Sequence, residues 1–141
     1  MLVVDASVAV KFVIDEDGRE EAFSRVRAEP RLVSPDWLLI EAGNAVWRKC
    51  VNGAFDRQVA ESLLAALPLF FDGLQPSAPL AAKALALSFD MNHWIYDCLY
   101  LATAIELDAP LLTADRKFYN AAHRAGHGEM VELLTWGGRS L

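Results

Sequence analysis

Short apolar runs alternate with longer stretches of helical periodicity from one end of the chain to the other, and this alternation most restricts the fold. Met1 to Val4, Arg31 to Ser34, Leu69 to Leu74, Pro110 to Thr113 and Met130 to Leu134 read as strands. Between them, helices are expected at Val8 to Ile14, Arg19 to Ala28, Trp37 to Val51, Arg57 to Leu67, Ser77 to Phe89, Ile95 to Leu107 and Arg116 to Ala125. Asn52-Gly53 and Asp108 are the stop signals of two of these helices, and Asp56 is a starting cap. Strands that alternate with helices imply an α/β layer fold with a mainly parallel sheet. A length of 141 residues fits one domain spanning the whole chain, with residues 137–141 as a loose tail.

Charge narrows the function. A formal charge of −6 argues against a protein that coats nucleic acid by bulk electrostatics, because neutralising phosphate takes Lys and Arg. It leaves room for an enzyme that meets phosphate through bound cations, which invert the local sign. The apolar share of 54% is high enough to suggest that some surface is covered by a partner. Cys50 and Cys98 sit in apolar helical stretches without metal-ligand spacing and read as buried thiols of a reducing compartment. The N-terminus lacks the pattern of a signal peptide, and no apolar run approaches membrane-spanning length, so a cytoplasmic location without membrane contact is expected.

The placement of the acids carries the chemistry. Asp5 and Asp115 each follow an apolar strand and precede a helix, so both belong at the carboxyl edge of the sheet, where α/β folds bind ligands. Glu41 is the only acid in its apolar helix, and Asp97 is the only charge near the start of a helix apolar nearly all round. Each has an ordinary explanation taken singly: Asp5, Asp97 or Asp115 as a cap, Glu41 paired with Arg48. Together they suggest a cluster, which repels itself unless a cation offsets it. Magnesium takes oxygen ligands, keeps water for substrate phosphate and fits such a set. His93, His123 and His127 lack zinc-ligand spacing and read as surface or boundary residues.

Val3-Val4-Asp5-Ala6-Ser7-Val8 and Leu39-Ile40-Glu41-Ala42-Gly43-Asn44-Ala45 resemble the opening strand and acidic helix of PIN domains. Tyr96-Asp97-Cys98-Leu99-Tyr100-Leu101-Ala102 and Leu111-Leu112-Thr113-Ala114-Asp115-Arg116 are similar to the C-terminal half of that family. The resemblance covers essentially the whole chain, and the compact length resembles the VapC-type toxins of toxin–antitoxin pairs. It implies a PIN-like fold with helices on both faces of the sheet and a magnesium-dependent endoribonuclease, with manganese as a substitute. The implied catalytic and metal-binding quartet is Asp5, Glu41, Asp97 and Asp115, supported by the polar residues Ser7, Asn44 and Thr113. Hydrolysis of RNA by metal-activated water, a VapB-type antitoxin and a homodimer are further implications. Lys11, Arg116 and Lys117 are candidate RNA contacts, against the plainer reading of a solvated surface. Cys98 stands where relatives often carry Ala, which suggests an oxidation-sensitive thiol beside the site.

Two other readings compete. In an aspartate-based phosphatase or phosphotransfer domain Asp5 is the nucleophile, assisted by Thr113 and Lys117, but Ser7 stands where a haloacid-dehalogenase-like enzyme wants a second Asp. A non-catalytic PIN-like RNA-binding module has no need to keep four mutually repelling acids.

Overall fold

The computed structural model describes all of residues 1–141. Five strands, β1 (Leu2–Val4), β2 (Leu32–Pro35), β3 (Gly73–Gln75), β4 (Leu111–Thr113) and β5 (Val131–Leu133), form one sheet in the order β3-β2-β1-β4-β5. Every pairing in it is parallel. Seven helices connect the strands: α1 (Ala6–Val13), α2 (Arg19–Val26), α3 (Leu38–Val51), α4 (Arg57–Ala66), α5 (Ala81–Met91), α6 (Ile95–Leu107) and α7 (Arg116–Arg124).

From β1 the chain moves outward through β2 to β3, then returns to the other side of β1 at β4 and continues to β5. Parallel crossovers are right-handed, so this reversal puts α1–α4 on one face and α5–α7 on the other. Packing agrees, with α1 against α2, α3 and α4, and α5 against α6 and α7. The reversal falls between β1 and β4, paired through Val3 with Leu111 and Val4 with Leu112. That is the switch point beyond whose strand ends α/β sheets open a crevice.

The core is the sheet and its two innermost helices. All of β1 and β4 is buried, as in a strand covered on both faces. Helix α6 is buried without a break from Cys98 to Ala104 and packs across β1, β2 and β4, which accounts for its nearly uniform apolarity. Asp108, at φ 47°, ends it in the left-handed conformation that Asp tolerates.

Three local expectations give way to backbone chemistry. Leu69 to Leu74 is not one strand: with Pro68 in its first turn, a 3-10 segment occupies Leu67–Phe70, and only Gly73–Gln75 pairs with β2. The helix expected from Ser77 begins as a 3-10 turn at Ala78–Leu80, which contains Pro79, and becomes α-helical at Ala81. Ser77 instead ties across to the start of α3, hydrogen-bonding Asp36 and accepting from the Trp37 backbone N–H at 3.2 Å.

Residues 137–141, expected as a loose tail, are tied down. Gly137 and Gly138 take positive φ and turn the chain so that Trp136 and Arg139 form an antiparallel bridge. The Leu141 N–H then donates to Ala114 O at 2.8 Å, and Leu141 O accepts from the Arg116 N–H at 3.3 Å. Trp136 packs on Gly18, where any Cβ would collide with the indole.

Candidate active site

A cleft of about 1040 Å3 opens beyond the carboxyl ends of the strands, and Asp5, Glu41, Asp97 and Asp115 all line it. Each acid sits at or within the first turn of a helix: Asp5 caps α1, Asp115 caps α7, and Glu41 and Asp97 lie in the first turns of α3 and α6. Unpaired N–H groups and the dipole at a helix start favour negative charge there.

Asp5 is the most enclosed of the four, 4% exposed. Its Oδ1 accepts from Ser7 Oγ at 2.6 Å and from the Val8 N–H at 3.2 Å, and its Oδ2 accepts from Thr113 Oγ1. Ser7 accepts in turn from the Ala114 N–H at 2.8 Å, and Thr113 from the Asp115 N–H at 3.1 Å. The ends of β1 and β4 are thus stitched together around one carboxylate. Burial pushes the Asp5 carboxyl up to about 7, and the Asp97 charge adds to this against the opposing bonds from Ser7, Thr113 and Val8.

The other acids have partners of their own. Glu41 accepts from Tyr100 Oη at 2.5 Å, not from Arg48. Burial raises its carboxyl above the usual range, opposed by Tyr100 and reinforced by Asp97. Asp97 Oδ2 lies 2.6 Å from His93 Nε2, and burial raises its carboxyl against the pull of that imidazole, with Asp115 adding to the rise. Asp115 spends Oδ1 on the N–H groups of Lys117 and Phe118, at 2.8 and 3.2 Å. Asn44, one turn beyond Glu41, lines the same cleft.

Over residues 2–124 the chain matches the PIN domain family. It belongs to the PIN-domain family. It is 30% identical to Ribonuclease VapC3 of Pyrobaculum aerophilum over 118 residues, covering 82% of this chain and 90% of that protein. Ribonuclease VapC1 of Mycobacterium tuberculosis is 29% identical over 117 residues, covering 82% and 86% respectively. This PIN domain is therefore VapC-like in sequence. Two crystal structures share its fold. One, from Pyrobaculum aerophilum, has a TM-score of 0.67 at 22% identity over 85% of this chain and 84% of that one. The other is Mycobacterium tuberculosis VapC20, described as a sarcin-ricin-loop-cleaving toxin, with a TM-score of 0.68 at 18% identity over 86% and 95%.

The donor set of this PIN domain is chemically suited to a hard divalent cation. Four carboxylates share one cleft, and charge from one neighbour raises the carboxyl of each of Asp5, Glu41 and Asp97. As they stand, no three carboxylate, imidazole or thiol groups are gathered closely enough to enclose an ion. Each acid is instead engaged by its own partners: Ser7 and Thr113, Tyr100, His93, or the α7 backbone.

Not every expected contact is in place. Lys11 is withdrawn from any RNA: it is 1% exposed, and its ammonium donates to Glu16 Oε1 at 3.0 Å and Asp17 O at 2.7 Å while lying over the Trp136 ring. The Asp15–Gly18 loop folds back over the end of α1, so a position that is outward by periodicity alone becomes interior. Arg116 and Lys117 are exposed but lie outside the cleft lining. Cys98 is fully buried and its thiol is pushed up to about 11 by burial, with the Asp97 charge adding, so it lacks the thiolate that oxidation requires.

Other lining or supporting residues escape a reading of the sequence. Tyr100 and His93 reach the acids from α6 and the turn before it. The spacing of His93 and Asp97 was a usable signal, whereas Tyr100 reaches Glu41 across two helices. Trp37, Tyr96, Arg48 and Lys49 also line the cleft.

Proposed function

We propose that this PIN domain is a magnesium-dependent endoribonuclease, the toxin of a toxin–antitoxin pair, which hydrolyses RNA phosphodiesters with Asp5, Glu41, Asp97 and Asp115 as its metal-binding and catalytic acids. The observation that carries this reading is the meeting of all four acids in one cleft at the sheet's switch point. The ribonuclease names of the VapC relatives support the same chemistry.

Bound there, a divalent cation polarises a phosphodiester and eases the ionisation of water. The chain's own residues prepare that site. Ser7 and Thr113 grip both oxygens of Asp5 and fix its orientation. Tyr100 and His93 favour the charged forms of Glu41 and Asp97, which the cation requires. Asn44 supplies a neutral polar group beside Glu41.

Two apolar surfaces suit the partners such a toxin meets. Ile40, Trp47 and Val51 lie exposed along α3, and Ile40 also lines the cleft, which suits a VapB-type antitoxin whose tail enters the groove. Leu85, Phe89 and Trp94 are exposed on and just beyond α5, which suits a second copy in a homodimer. No helix is long and apolar enough to cross a membrane. The proposed place of action is the cytoplasm, where the RNA is.

Nothing favours the aspartyl-phosphate alternative. Both oxygens of Asp5 are hydrogen-bonded in a buried position, and Lys117 does not line the cleft. Purified protein incubated with total RNA and magnesium, followed by end-mapping of the fragments, tests the proposal. Cleavage is expected from the wild type and not from Asp5→Asn or Asp97→Asn; variants that cut at the wild-type rate would refute it.

A further inference from the structure

Helix α3 runs the length of the cleft and presents a sequence of different chemistries to it. Trp37, Ile40, Glu41, Asn44, Ala45, Arg48, Lys49 and Asn52 all line the cleft, at the three- and four-residue spacing of one helix face. Trp37, at the head of the helix, stacks on Tyr96, with ring centroids 5.4 Å apart and planes 8° from parallel. Tyr96 precedes Asp97 and the Trp37 indole lies beside Glu41, so the stack stands next to two of the acids. With one ring face covered by the indole, Tyr96 is still 49% exposed and lines the cleft. Ile40, 61% exposed, adds apolar surface next to it.

The other end of the helix is cationic. Lys49 pairs with Glu16 at 3.6 Å, but Arg48 makes no ion pair and is exposed to the cleft. It lies seven residues beyond Glu41, about 10 Å along the axis at the ordinary helical rise. Elsewhere the lining is acidic, since Asp5, Glu16, Glu41, Asp97 and Asp115 outnumber Arg48 and Lys49. A polyanion entering this cleft therefore finds one unpaired cation on one side of the acids and one half-exposed aromatic residue on the other.

We propose that a single-stranded RNA lies along α3, with one base stacked on the free face of Tyr96 and a backbone phosphate on Arg48, on opposite sides of the acids. The inference rests on the ribonuclease reading and adds the path of the strand. Stacking takes any base, since every base has a π-face, and the guanidinium fork matches phosphate oxygens. Trp37 acts as a backing plate that holds Tyr96. Its buried Nε1–H lies beside Glu41, whose carboxyl it helps to lower, so the indole is oriented toward the acids while its ring face supports Tyr96.

The test is binding of a fluorescein-labelled, random-sequence single-stranded RNA 12-mer, followed by anisotropy across a salt series. A calcium buffer supplies the carboxylates with a hard cation. Wild type is expected to bind. Tyr96→Leu should weaken binding roughly tenfold at an unchanged salt slope, and Tyr96→Phe should bind as wild type. Arg48→Ala should lower the slope of log affinity against log salt by about 0.7. Absence of wild-type binding, full affinity in Tyr96→Leu, loss in Tyr96→Phe equal to that in Tyr96→Leu, or an unchanged slope in Arg48→Ala would each overturn the inference. A parallel digestion of total RNA with magnesium separates the two readings. Cutting that neither variant diminishes leaves the ribonuclease and removes the strand path. Expected binding without any cutting by wild type does the reverse.

Discussion

The two sides of the cleft hold their acids in different ways. On the strand side, Asp5 is buried, both its oxygens accept hydrogen bonds, and the donors belong to α1 and β4, which are themselves core. On the helix side, Glu41 and Asp97 are partly open and each depends on one partner, Tyr100 or His93. The strand side is a rigid anchor whose shape is set by the sheet. The helix side can change carboxylate orientation by breaking a single bond, a freedom a ligand shell needs if it is to close around a cation.

The sharpest way to break this comparison is to remove the anchor. Asp5→Asn should lower RNA cleavage by on the order of a thousandfold, the rate equivalent of the several kcal/mol that a catalytic cation supplies. The same change removes a buried charge, so the thermal midpoint of the metal-free protein at pH 8 should not fall. A parallel loss of both would show that Asp5 is a structural cap.

Proton uptake gives the next largest effect. Burial leaves Asp5 titrating near 7, and Glu41 and Asp97 above the usual carboxylate range. Below about pH 4 folded and unfolded chains both hold these protons; between there and pH 7 the folded chain holds more, so raising the pH costs stability. For Asp5 this amounts to no more than about 4 kcal/mol. Thermal melts in chelator should show this contribution falling from pH 5 to pH 8, and magnesium should flatten the trend by taking the place of the protons. A chelator curve as flat as the magnesium curve would contradict the burial of these acids.

Weakening the anchor's supports comes third. Thr113→Val or Ser7→Ala should cost about 10–100-fold in activity or metal affinity, the usual range for groups that orient a ligand. On the helix side Tyr100→Phe should do less, about 1 kcal/mol or several-fold. Because the Tyr100 bond lowers the Glu41 carboxyl, its loss should move the midpoint of metal binding to higher pH. Equal losses on the two sides, in a calorimetric metal titration, would erase the distinction drawn here.

The strand side was the more legible in sequence. An apolar run that ends in Asp and opens a helix places that acid at the sheet edge, and Asp5 and Asp115 both carry this local mark. Glu41 is the only acid of its helix and Asp97 the only charge near the start of an apolar one, which marks them as candidates but does not reveal their partners. Tyr100 meets Glu41 only because the starts of α3 and α6, on opposite faces of the sheet, approach each other beyond the strand ends, a contact without local signature. Lys11 shows the converse, since helical periodicity cannot foresee that the Asp15–Gly18 loop and Trp136 close over its head. At β3, Pro68 overrode an apolar run that pattern alone would extend into a longer strand.

The hairpin at residues 136–139 bears on how this protein is handled in the laboratory. Leu141 lines the cleft and is bonded to the backbone on either side of Asp115. Any sequence appended after it, such as a purification handle, would therefore issue at the cleft mouth and obstruct the approach of substrate. A handle at the other end begins at Met1, which is salt-bridged to Glu29 and lies at the start of β1, opposite the edge where Asp5 stands.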